Sequence, residues 1–187
     1  MTAQSKRTSQ YLVAPLALAA VLAACGMNAA LAANNATASA TAVVLVPISV
    51  AKTTDLSFGK LVAGNGTVTL NTSGVRTKSG STALPTGGTA TAALFTVTGD
   101  TTNTFSISYT GSSTVLTSGT PADDMAVSFI SEAVGTATST GQTSGQAATG
   151  TLVAGNAYIY VGATLAVGAA QPAGTYTGTV AVTVDYN

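Results

Sequence analysis

Apolar residues recur at every second position through most of this chain, and that spacing restricts its fold more than any other feature. A segment with period-2 alternation buries one face as a strand and leaves the other to solvent. Phe105, Ile107 and Tyr109 share one face, as do Met125, Val127 and Phe129, and as do Ile159, Val161, Ala163, Leu165 and Val167. The pattern predicts strands over residues 43–51, 56–62, 67–70, 93–98, 104–109, 125–130, 157–167 and 174–187. Ala63-Gly64-Asn65-Gly66 reads as a hairpin turn between the second and third of these. Residues 72–91, which carry Arg76, Lys78 and Pro85-Thr86-Gly87-Gly88, read as a solvated loop, and residues 131–150 as a second polar loop. Beyond the N-terminal segment no stretch shows a helical period. The expected class is therefore all-β, with an immunoglobulin-like β-sandwich as the architecture and a barrel as the alternative.

Composition narrows the function. Charged residues make up 6% of the chain against roughly 25% in an average soluble domain. Six basic and six acidic residues leave no electrostatic footprint for nucleic acid. Abundant Val, Ile and Thr in alternating runs argue against disorder.

There is no histidine and only one cysteine, so Ser-His-Asp, Cys-His and the usual zinc sites are excluded. Asp123-Asp124 follows Pro121-Ala122 and reads as a solvated turn rather than a calcium site. Lys52, Asp55 and Asp100 sit at strand ends or turns, and no phosphate-cradling glycine motif joins a strand to a helix. Tyr158, Tyr160, Tyr176 and Tyr186 lie at strand positions, where packing is the ordinary role, and no tryptophan strengthens a carbohydrate platform. No enzyme activity, cofactor or metal is expected.

Residues 1–32 read as a secretory signal. Lys6 and Arg7 supply the basic region, residues 11–24 the apolar run, and Ala30-Leu31-Ala32 the small-residue cleavage site. The 14-residue run is shorter than the roughly 20 residues that span a bilayer, so no transmembrane anchor is expected in the mature chain. A second signal overlaps it: Leu22-Ala23-Ala24-Cys25 resembles a lipobox, in which Cys25 would be lipidated. Simple cleavage takes Lys6 and Arg7 away, leaving four basic and six acidic residues and no thiol.

The clearest strand signal lies at the C-terminus, where Tyr176, Val180, Val182, Val184 and Tyr186 alternate with polar or small residues. Gly174 is the fourteenth residue counting back from the end, and Tyr186 is penultimate. This pairing of glycine and penultimate aromatic resembles the C-terminus of chaperone–usher pilins. The phrase PAGTYTGTVAVTVDYN is similar to the ending of spore-coat-U-type subunits of archaic chaperone–usher pili, and TTDLSFGKLVAGNGTVTL, residues 53–70, resembles an exported bacterial family, domain of unknown function 4402.

The pilin resemblance implies a sandwich with an incomplete strand complement. Its final strand would border a polymerisation groove formed with Gly174, Tyr176, Val180, Val182, Val184 and Tyr186. A periplasmic chaperone would fill that groove first, and a neighbour's N-terminal extension would fill it after delivery to an outer-membrane usher.

An extension of the required kind is present. Ala36, Ala38, Ala40, Ala42, Val44 and Val46 share one face if residues 34–46 are extended, and a one-residue slip would offer Val43 and Leu45 instead. Pro47 marks the entry to the domain. The division is thus 1–32 signal, 33–46 candidate donor strand and 47–187 sandwich. The functional expectation is a surface-fibre subunit serving adhesion or biofilm formation, whose partners are copies of itself or related pilins. The alternative is a self-complete secreted or lipid-anchored β-sandwich that binds a partner alone.

Overall fold

The computed structural model describes residues 35–187. The signal reading of residues 1–32, with Cys25 inside it, and residues 33–34 of the expected extension lie outside the described residues. Residues 35–42 are exposed and outside any strand, and residues 43–187 form a compact unit.

In that unit the described strands are β1 (Ser49–Thr54), β2 (Gly66–Leu70), β3 (Arg76–Lys78), β4 (Ala93–Thr98), β5 (Thr104–Ser108), β6 (Val115–Leu116), β7 (Met125–Val134), β8 (Thr149–Thr151), β9 (Asn156–Val167) and β10 (Thr183–Tyr186). The described residues hold one 3₁₀ turn, Pro121–Asp123, and no α-helix. Every pairing between strands is antiparallel, in one sheet of seven strands and one of three. The all-β sandwich expected from the alternation is what the chain forms.

The 12-residue β9 organises the larger sheet. Along one edge it pairs with β7 over its middle, from Tyr158 opposite Val134 to Leu165 opposite Val127. Along the other edge it pairs first with β4, ending at Val161 opposite Ala93, and then with β2, beginning at Ala163 opposite Leu70. Gly162 lies at the handover, where a Cβ would collide with the Leu70 carbonyl oxygen and press on Asn71. The absent side chain lets two successive partners share one strand edge.

The smaller sheet, in the order β10-β5-β8, packs over the β4 end of this layer. Phe105, Ile107, Leu152 and Val184 from the smaller sheet meet Phe95, Val97, Ile159 and Val161 from the larger in one buried cluster. A second cluster, with Val68, Leu70, Met125, Val127, Ala163, Leu165 and Val167, occupies the β2 end. It is roofed by Phe58, Leu61, Leu84, Ala90, Leu116 and Tyr176, which belong mostly to irregular segments. Sheet therefore covers sheet over only part of the sandwich.

Several expected elements differ. Residues 43–48 join no strand, and β1 begins at Ser49. Residues 56–62 are irregular apart from single bridges of Ser57 with Thr91 and Val62 with Ala83. Gly64 and Gly66 do not turn a hairpin back onto that segment. Their bare backbones lie against Ser81 and Ser79, and β2 pairs forward with β3 inside the region expected to be a solvated loop. β7 continues to Val134 and β8 appears at Thr149–Thr151, so the second expected loop is shorter than 131–150. β6 and β8 are too short to carry a periodic signal.

The Gly162 junction yields a stability prediction. Gly162→Ala should cost about 1–3 kcal/mol through overpacking against the Leu70 backbone. Gly168→Ala, where the nearest atom lies at 3.5 Å, should leave the urea midpoint almost unchanged.

Candidate functional site

A groove opens where the two core clusters meet. Beyond a register shift between Lys52 and Thr54, the chain leaves the edge of β4. Residues 52–63 then form one wall of a groove of about 1070 Å³, and residues 171–180 form the other. Ala93, Phe95, Met125, Phe129 and Leu165 make its floor.

Phe129 marks what the opening leaves uncovered. The alternation of β7 turns it inward with Met125 and Val127, which are 3% and 7% exposed, and it sits opposite Ala163, which is fully buried. Phe129 itself is only half-buried. It packs against both core clusters, as Leu56 does, so these two side chains bridge the clusters across the floor and wall of an open groove.

Arg76 holds the first wall. Its guanidinium donates to the carbonyl oxygens of Phe58 at 2.8 Å and Lys60 at 2.7 Å, and more weakly to that of Gly88 at 3.5 Å. Charge-assisted bonds to three carbonyls fix a wall that has almost no ladder of its own. The Lys52–Asp55 pair, 2.6 Å apart, sits at the rim with both side chains mostly exposed, and contributes little.

Serine hydroxyls hold the second wall. Near Gly111, whose φ is +91°, the chain opposite the C-terminal segment turns sharply, and the amide of Ser112 donates to the carbonyl of Tyr109 at 3.1 Å. Regular pairing stops there, and side chains supplement the few backbone bonds that continue, from the Ser113 amide to the Thr179 carbonyl and between Thr117 and Thr177. Ser112 Oγ accepts from the Ala181 amide at 2.9 Å and donates to the Ala181 carbonyl at 3.1 Å. Ser113 Oγ accepts from the Thr179 amide at 2.8 Å. Tyr176 is anchored by donating to the Pro172 carbonyl at 2.9 Å and accepting from Gln171 Nε2 at 2.9 Å.

The expected site residues divide accordingly. Gly174, Tyr176 and Val180 line the groove. Val182, Val184 and Tyr186 lie beyond it against the first core cluster, with Val184 buried. Only Thr183–Tyr186 forms a regular strand, paired with β5, so the continuous strand expected over 174–187 is broken by the turn at Gly111. The outer edge of β10 has no ladder partner among the described residues. On the candidate donor strand, Ala36, Ala38, Ala40 and Ala42 are exposed and outside any strand. Val44 is 92% and Val46 58% exposed, with Val43 at 86% and Leu45 at 42% between and beside them. Asp123 belongs to the 3₁₀ turn and Asp124 ends it. Phe129, Arg76, Ser112 and Ser113 were not legible as site residues; Phe129 carried the alternation signal, but nothing in a sequence marks which inward position lies beneath an opening.

On the opposite face of the large sheet, Glu132 is 6% exposed. The Thr72 hydroxyl donates to its Oε1 at 2.7 Å, the Thr140 amide reaches both oxygens at 3.0 and 3.1 Å, and the hydroxyls of Ser139 and Thr140 donate as well. Burial works to raise the pKa of this carboxyl, but the bonds from Ser139, Thr140 and Thr72 prevail and hold it below the usual glutamate value. Tyr158 and Tyr160 stand on this same outer face of β9, half-buried opposite Val134 and Glu132, as cross-strand neighbours rather than core residues. Burial raises the Tyr160 pKa, with the Glu132 charge adding to the effect.

These features define an antiparallel β-sandwich module with a mainly apolar groove between residues 52–63 and 171–180. The chain belongs to the family described as Domain of unknown function (DUF4402), whose model matches residues 48–186. The resemblance carried by residues 53–70 thus holds for the family. No curated protein and no solved structure matches the chain.

The Glu132 network predicts an acid-dependent stability term. A carboxyl whose folded pKa is depressed adds stability above its ordinary unfolded value, and that contribution is lost as pH falls through the lower folded value. Glu132→Gln should therefore cost about 1–3 kcal/mol near pH 7. The gap to the parent chain should close below the usual glutamate range, as read from urea midpoints over a pH series.

Proposed function

We propose that this chain is the structural subunit of a bacterial surface fibre, exported across the inner membrane and polymerised by donating an N-terminal strand to the groove of the next copy. The observation that carries the reading is the groove that opens where the two core clusters meet. Phe129 lies only half-buried on the floor of a mainly apolar groove, while residues 43–46 hold Val43, Val44, Leu45 and Val46 out in solvent. A strand laid in the groove would cover Phe129, running between residues 52–63 and the C-terminal segment 171–180. Each valine fully buried in this way contributes about 1.5–3 kcal/mol, whereas the alanines at positions 36, 38, 40 and 42 contribute mainly through the ladder.

In this reading a periplasmic chaperone occupies the groove before an outer-membrane usher delivers the subunit, and the fibre serves adhesion or biofilm formation. The segment PAGTYTGTVAVTVDYN supports that assignment by its resemblance to chaperone–usher subunits.

Donor-side substitutions test the reading without disturbing the fold, because the side chains concerned are exposed. Sheared surface fractions run unboiled on a denaturing gel should show a ladder that collapses to one band on boiling. Val44→Asp combined with Val46→Asp should abolish the ladder while leaving the thermal midpoint of the monomer within about 1 °C, in keeping with the small effect of surface changes. A parent chain that runs as a monomer in both lanes would overturn the proposal in favour of a self-complete binding module.

A further inference from the structure

We propose that the hydroxyl of Tyr186 keeps the chain's own N-terminal segment out of its own groove, leaving the groove open to the segment of a second copy; this rests on the strand-acceptor reading above. The Tyr186 ring packs against the first core cluster. Its hydroxyl accepts a hydrogen bond from the Asp100 amide at 2.6 Å and donates one to the Val46 carbonyl at 2.8 Å. Both bonding capacities of the phenol are used, one on the turn after β4 and one on the residue where the N-terminal segment enters the domain. Gly99 leaves room for this: a side chain there would collide with the Tyr186 hydroxyl.

Position explains the consequence. β1 starts at Ser49, opposite Thr98 at the end of β4, so Val46, Asp100 and Tyr186 gather at the end of the sandwich where β1 begins. The groove lies beyond the other end of β1, between residues 52–63 and 171–180. For residues 43–46 to reach it within one molecule, the chain must reverse between Val46 and Ser49. That reversal swings the Val46 carbonyl away from Tyr186 and breaks the bond. Pro47 fixes its own φ and restricts Val46 to extended backbone, which also opposes the reversal. Clamped at Val46, the segment is presented to solvent, with Val43 and Val44 at 86% and 92% exposure.

The test is amide hydrogen exchange across residues 43–50 in the monomer fraction of the exported full chain, run beside the unboiled gel. Tyr186→Phe keeps the ring and removes only the hydroxyl. The expected result is exchange at residues 43–46 slowed about five- to tenfold by self-insertion, as the loss of a net hydrogen bond allows, together with fewer multimers. Gly99→Ala should reproduce the slowing by displacing an intact tyrosine, and it decides the matter if the Phe variant does not fold. Equal exchange in parent and variants overturns the clamp, even if the parent polymerises. A parent that forms no ladder while the Phe variant slows exchange removes the fibre reading but upholds the clamp.

Discussion

The ladder on β9 is the constraint on which the rest of the structure depends. One strand carries β7 along one edge and two successive partners along the other, and the handover at Gly162 requires the Leu70 backbone to come closer than any side chain permits. Because β4 and β2 both claim β9, the large sheet is longer than the small one that faces it. β10, β5 and β8 cover the β4 end, and the β2 end is left to residues 56–62, 84–90 and Tyr176. Between the two roofs the groove opens, with half-buried Phe129 among the residues on its floor. The groove is thus a consequence of strand arithmetic in the large sheet, not an indentation added to a finished sandwich.

A groove whose walls lack a continuous ladder needs other supports, and this chain supplies them with few charges. Arg76 spends its guanidinium on main-chain carbonyls instead of a carboxylate. Ser112 and Ser113 supplement the backbone partners where regular pairing stops at the Gly111 turn. On the outer face Glu132 does the corresponding work, drawing in three hydroxyl-bearing side chains that tie residues 139–140 and Thr72 to β7. The buried Glu132 carboxylate is satisfied by several neutral donors at once, as the cost of leaving a buried charge unpaired demands. This reliance on Ser and Thr explains how a chain with 6% charged residues maintains long irregular segments against a β core.

The parts legible in the sequence were those with a local period. β4, β5 and β9 lie within about a residue of their expected bounds because five to twelve alternating positions specify the inward face without outside help. The segments that failed were those whose partner decides their state. Residues 56–62 alternate well, yet they meet only isolated bridges, since the edge they would join is occupied by β9 pairing with β2. The turn chemistry of Ala63-Gly64-Asn65-Gly66 is real, but it serves close approach to residues 79–82. The C-terminal alternation does turn one face inward, with Tyr176, Val180, Val182, Val184 and Tyr186 against the core. Its division into a groove-lining half and a ladder-forming half depends on Gly111, some 70 residues earlier in the chain. The alternation marks Tyr186 as an inward residue, whereas the partners of its hydroxyl lie 86 and 140 residues away and carry no local signal.

That last residue shows how an aromatic side chain can serve two ends of a chain at once. Its ring completes a core that the short β10 would otherwise leave thin, and its hydroxyl reaches past the core to a carbonyl 140 residues away in sequence. A phenylalanine would supply the first function and not the second. In the proposed fibre both functions are needed for the same reason. A subunit with an open groove and a loose apolar tail is its own nearest competitor, because the tail of the same molecule is present at a far higher effective concentration than that of any neighbour. Only a geometric restraint at the root of the tail offsets that advantage, and the Tyr186–Val46 bond is placed at that root.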